Sequence, residues 1–98
     1  MLTNVSLPAT AYEEVTVGAT AVGLSAANYL VAERAVIRVL TNAVNVRRDG
    51  GVPTAASGLN YAADVTFTVY GQSDMANFRA VQVAGGATLC VTYEGKMR

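Results

Sequence analysis

Val65-Thr66-Phe67-Thr68-Val69-Tyr70 and Thr88-Leu89-Cys90-Val91-Thr92-Tyr93 decide the fold. In the first, Val65, Phe67 and Val69 alternate with Thr66 and Thr68. In the second, Leu89, Val91 and Tyr93 alternate with Thr88, Cys90 and Thr92. A period of two sends each set to one face of an extended chain, and β-branched and aromatic side chains suit a pleated, half-buried surface. Both stretches are read as strands, with Val65, Phe67, Val69, Leu89 and Val91 assigned to a shared core.

Working outward, Gly71-Gln72-Ser73-Asp74 ends the first strand and Asn77–Val83 alternates again. Ala84-Gly85-Gly86-Ala87 is short enough for a hairpin turn leading into Thr88–Tyr93. Upstream, Tyr12–Val17 reads as a strand stopped by Gly18, and Thr20–Leu24 as a short strand or turn. The composition of residues 26–40 would also serve a helix, but Arg34 falls where its buried stripe would run. Ala35–Thr41 is therefore a strand with Ile37, Val39 and Thr41 inward and Val36, Arg38 and Leu40 on the other face. Ser25–Ala32 is then a loop. Asn42–Arg48 offers another strand, with Val44 and Val46 inward and Asn45 and Arg47 outward. Asp49-Gly50-Gly51 marks a tight turn, and Pro53 makes the segment from Val52 to Asn60 a loop or sheet edge.

Six to eight short strands at this spacing predict an all-β chain, a small antiparallel β-sandwich of jelly-roll-like or Greek-key type. At 98 residues one core is the expectation. The division is residues 1–11 as an N-terminal arm or peripheral strand, 12–94 as the sandwich and 95–98 as a short tail.

Seven basic residues balance seven acidic ones, so no net field would gather nucleic acid or an anionic membrane. Only 14% of residues are charged and 52% are hydrophobic, against about 25–35% charged for a self-sufficient small surface. That deficit points to surface held against other protein, although Ala and Thr also lie harmlessly on a solvated sheet face. Residues 1–8 carry no basic stretch followed by an apolar core, and no window approaches the ~18 apolar residues of a membrane span. The expectation is a chain assembled in the cytoplasm.

Catalytic chemistry has little to work with. Histidine is absent, which removes the ordinary general base and the commonest zinc ligand. Cys90 stands alone within a strand pattern and is read as a structural thiol. Glu13 and Glu14 are adjacent, so a strand sends them to opposite faces. Asp49, Asp64 and Asp74 would form an oxygen-rich calcium site only if their turns met at one end, and turn capping explains each more simply. Glu33 and Glu94 complete the scattered acids. Gly50-Gly51 and Gly85-Gly86 precede no Gly-Lys-Ser or Gly-Lys-Thr and are turns rather than phosphate loops. Arg47-Arg48 is the only adjacent basic pair. Tyr12, Tyr29, Tyr61, Tyr70 and Tyr93 suit core rims or subunit contacts. No catalytic, cofactor or metal residue is assigned, and the chain is read as a non-enzyme.

Four blocks, in order, carry a resemblance: Arg34–Thr41, then Val46–Thr54 containing Asp49-Gly50-Gly51-Val52-Pro53-Thr54, then Asn77-Phe78-Arg79-Ala80, then Ala87–Tyr93. Across about two-thirds of its length the chain resembles small structural virion proteins of tailed bacteriophages, of head decoration or cement type. In that group an Asp-Gly-x-x-Pro-Thr turn follows the first block, and a Leu-x-Val-x-Tyr strand closes the chain, as Leu89, Val91 and Tyr93 do here. The resemblance implies a non-enzymatic virion component, assembled in the host cytoplasm, whose partners are further copies of itself and the major capsid protein or another virion protein. Trimers would suit local three-fold lattice positions. The alternatives are a tail, fibre or head–tail adaptor component and, in a different class, a carbohydrate-binding module.

Overall fold

The computed structural model describes residues 7–95 and builds two antiparallel sheets. In chain order the elements are β1 (Ala9–Val17), α1 (Ala26–Tyr29), β2 (Arg34–Leu40), β3 (Val44–Arg47), β4 (Leu59–Tyr61), β5 (Thr66–Tyr70), α2 (Gln72–Asn77), β6 (Arg79–Gln82) and β7 (Ala87–Glu94). One sheet has the order β1-β7-β2-β5 and the other β4-β3-β6. The β7 strand, with strict alternation, fills the centre of the larger sheet, paired from Ala87 to Glu94 with β1 and from Thr88 to Glu94 with β2.

Period two does the sorting. Ala35, Ile37 and Val39 of β2, Val69 of β5 and Ala87, Leu89, Val91 and Tyr93 of β7 are buried on the inner face of the larger sheet. Val44, Val46 and Ala80 cover them from the smaller sheet, with Phe78 and Met75 closing one end. Each such side chain removed from water contributes on the order of 1.5–3 kcal/mol. The facing layer is what makes the Val- and Leu-rich strands stable.

Several sequence readings need correction. Val65 is 38% exposed and precedes β5. The ring of Tyr61 on β4 stacks on Phe67 at 3.8 Å, so the opposing layer reaches Phe67 but stops short of Val65. Phe67 itself is half-buried. Thr41, expected inward, is exposed with φ 80°, where the chain turns out of β2. Asn45, expected outward, is 5% exposed. The loop after β3 folds back over the outer face of the small sheet, so Asn45 donates to the Thr54 carbonyl at 2.9 Å and accepts from Asn60 at 3.0 Å.

Residues 84–87 form no hairpin, since β6 and β7 lie in different sheets and both edges of β7 are already taken. This turn is a crossover, pinned by the Asn42 side chain donating to the Gly86 carbonyl at 2.8 Å. Ser25–Ala32 contains the one-turn α1, and the strand expected from Asn77 starts at Arg79 because Gln72–Asn77 is helical. Thr20–Leu24 contributes a single bridge, Val22 to Ala80.

β1 starts at Ala9, inside the stretch expected as an arm, and carries an irregularity between Ala9 and Ala11. At the other end of the chain the Gly95 amide donates to the Pro8 carbonyl at 3.0 Å. Residues 1–6 of the arm and 96–98 of the tail lie outside the described residues.

Candidate functional site

Strand register gathers α1, α2 and the turn after β3 at one end of the sandwich. Arg34 pairs with Tyr70 and Glu94 in the larger sheet, Arg47 with Arg79 and Val46 with Leu59 in the smaller, and α2 carries the chain from Tyr70 across to Arg79. The Gln72 side chain donates to the Leu30 carbonyl at 2.7 Å and the Gly71 amide to the Glu33 carbonyl at 2.8 Å, tying the two helical segments together. The Gly50 amide donates to the Asn77 carbonyl at 3.3 Å and attaches the turn to α2.

This end carries most of the uncovered apolar surface. Leu30 and Val31 just after α1, Leu59 at the start of β4, Tyr70 at the end of β5 and Val52 next to the Gly51 turn are 48–65% exposed. Scattered exposed apolar residues need no explanation, whereas a concentration of them at one end marks a contact surface. Among the described residues Tyr12 and Val65 are the other large exposed apolar side chains.

Four charges at this end are paired within the chain. Arg47 donates to both carboxylate oxygens of Asp49, at 3.0 and 2.6 Å, and Asp49 also accepts from the Gly51 amide at 3.1 Å. The guanidinium first, and then the amide, hold the Asp49 carboxyl down at about 2. Arg47 lies so close over Gly51 that any Cβ there would overlap the guanidinium. Arg34 pairs with Glu94 at 2.6 Å. Between this turn, β4 and α2 runs an open groove of about 580 Å³ lined by Val46, Arg47, Arg48, Asp49, Ser57, Gly58, Leu59 and Asp74. Gly58 has φ +125° and packs against the Val46 backbone, a place for glycine alone.

Behind the surface, Glu13 organises the approach to α1. It points inward from β1 and accepts hydrogen bonds from the Tyr93 hydroxyl, from the Ser25 amide at 3.2 Å and from the Ser25 hydroxyl at 2.8 Å. Burial raises the Glu13 carboxyl and is the largest single influence, but the donors Tyr93, Ser25 and Asn28 together outweigh it and leave the pKa lowered. Burial, then the bond to Glu13, pushes the Tyr93 hydroxyl well above its usual value. Glu14 faces the opposite side and accepts from Tyr12 at 2.9 Å.

Asp49 and Asp74 both line the groove, while Asp64 lies at the far end, with φ 70° and an ion pair to Arg38 at 3.0 Å. Among the described residues no group of three His, Cys, Asp or Glu is placed to hold a metal ion. Cys90 is half-buried on the outer face of β7, in register with Glu14 and Arg38. The Tyr12 hydroxyl is raised, first by Cys90 and then by Glu14. No helix among the described residues is long and apolar enough to cross a membrane.

The sequence reading missed this end as a site because its apolar members come from four separate loops and strand ends. No single window contains them; strand register and the bonds from Gln72 to Leu30 and from Gly50 to Asn77 bring their segments to the same end. Comparison with models of known protein families, with curated proteins and with solved structures finds no match.

Proposed function

We propose that the protein is a non-enzymatic structural component of a tailed-bacteriophage virion, decorating or cementing the capsid through protein–protein contacts made by the helical end of the sandwich. The observation that carries this reading is the exposure of Leu30, Val31, Val52, Leu59 and Tyr70 on and around that end, beside two ion pairs, Arg34–Glu94 and Arg47–Asp49, closed within the chain. Such a surface loses little on leaving water, because few ionised groups must be stripped of solvent without a partner. The order of the four sequence blocks supplies the virion context. On a lattice, many copies of one modest contact act at high effective concentration.

The carbohydrate-binding alternative draws no support from the exposed tyrosines. Tyr12 and Tyr70 sit on opposite edge strands of the larger sheet, three inter-strand spacings or about 14 Å apart, too far to stack on one sugar ring.

The test is co-sedimentation of purified protein with capsids that lack it. Binding is expected, and Leu30→Asp or Val52→Asp should abolish it while leaving the circular-dichroism spectrum unchanged. Binding to tails or fibres instead would make the protein an adaptor. Failure to bind any virion part would end this reading.

A further inference from the structure

We propose that the outer edge of β5 is a self-association site, at which a second copy of this chain pairs antiparallel about a two-fold axis through Thr68 and joins two four-stranded sheets into one of eight. The argument begins with how the chain treats its sheet edges. An edge strand presents unpaired amides and carbonyls, and proteins that must stay apart blunt such edges with charge, irregularity, shortness or a covering segment.

Three of the four edges are blunted here. β4 has three residues. β6 is covered by the bridge from Val22 to Ala80 and by the Gln82 amide donating to the Gly18 carbonyl at 2.9 Å. β1 carries Glu13 and Glu14 together with its irregularity at Ala9–Ala11. Two-fold pairing of β1 centred on either glutamate would set a carboxylate against its own copy. The exception is β5, Thr66-Phe67-Thr68-Val69-Tyr70, which has no charge, proline or glycine. Its only backbone ladder runs to β2, and no described segment bonds to its other side.

The strand also complements itself. Antiparallel pairing centred on Thr68 places Phe67 opposite Val69 of the second copy and Thr66 opposite Tyr70 of the second copy, each pair occurring twice by symmetry. Aromatic against β-branched is among the favourable cross-strand combinations. The phase is right as well: Phe67 and Val69 lie on the inner face, and Thr66, Thr68 and Tyr70 on the outer. Pairing extends cover over the half-buried Phe67 and the exposed ring of Tyr70. The edge of β1 would instead bring its glutamates against this neutral strand, and β4 is too short to pair along it. A second β5 is therefore the occupant among this chain's own edges. This inference stands on edge geometry; the two surfaces share Tyr70, and self-association is read on the isolated protein, apart from any capsid binding.

Sedimentation velocity and native mass spectrometry across a concentration series should show a monomer–dimer equilibrium. Thr68→Lys, which sets two ammonium groups across the axis, should weaken it by about tenfold or more, while Thr68→Ser leaves it intact. In the unmodified protein, amide hydrogen exchange within Thr66–Tyr70 should slow as concentration rises, with β1 amides unchanged. That arm decides the question even where the lysine variant fails to fold. A strict monomer at sub-millimolar concentration, a trimer, or a dimer with concentration-independent β5 exchange would overturn the proposal.

Discussion

The Tyr93 hydroxyl donates to the Glu13 carboxylate across the pairing of β7 with β1, joining a buried ring at the sheet centre to an acid on the sheet edge. Both groups are shifted toward the states that make the bond, Glu13 ionised and Tyr93 protonated. The bond couples stability to pH at both extremes. Because the folded pKa of Glu13 is lowered, its contribution is present above the unfolded value of about 4.3 and is lost as pH falls through the lowered folded value. The raised Tyr93 contributes below about 10, and this is lost as pH climbs beyond it. Tyr93→Phe removes the donor and leaves the half-buried carboxylate short of a partner. The expected cost is about 1–3 kcal/mol near neutral pH, with a shallower fall of melting temperature in acid than in the unmodified protein.

Asn45 bridges the Thr54 carbonyl and the Asn60 amide beneath the loop that roofs the small sheet. Asn45→Leu removes both bonds, and because the Thr54 and Asn60 residues are themselves exposed the expected loss is about 0.5–1.5 kcal/mol per bond. Urea unfolding of Asn45→Ala, Asn60→Ala and the double variant should give a coupling energy clearly different from zero. Additive effects would mean that the two amides stabilise the loop separately.

The aromatic stack sets a graded series. Phe78 is fully buried, Phe67 is half-buried between Tyr61 and Phe78, and Val65 is exposed. Phe78→Ala should cost about 3–5 kcal/mol, Phe67→Ala less than that, and Val65→Ala under about 1 kcal/mol. Denaturant midpoints measured on the three variants check the order.

Gly51→Ala puts a methyl group where the Arg47 guanidinium lies. Displacing the guanidinium should raise the Asp49 carboxyl from about 2 toward the ordinary aspartate value. The observable is the carboxyl carbon chemical shift during acid titration. An unmoved midpoint would show that the Gly51 amide, rather than Arg47, holds the carboxylate.

The fold was legible where one rule governed. The strict alternation in β7 and β2 identified strand, face and core at once, because both edges of those strands are paired and one face is buried throughout. Errors fell where tertiary cover overrode the local pattern. Asn45 reads as solvent-facing until a loop nine residues away folds over it. The segment from Asn77 to Val83 looks ready to form a hairpin, but β7 already has both neighbours. The two short helices left little trace: α1 depends on Ser25 bonding to Glu13, a partner on another element. The contact end was illegible for the same reason, being assembled by register from distant positions.

The hydrogen bond from Gly95 to Pro8 makes the chain enter and leave the sandwich at one point. A circular permutant that joins Gly95 to Pro8 through a short turn of two or more residues, with new termini opened at the exposed Thr41–Asn42 corner, would keep every strand neighbour it has now. For the same reason the whole unit can be spliced into a surface loop of a host protein as a plug-in module, since its two attachment points demand no gap in the recipient backbone.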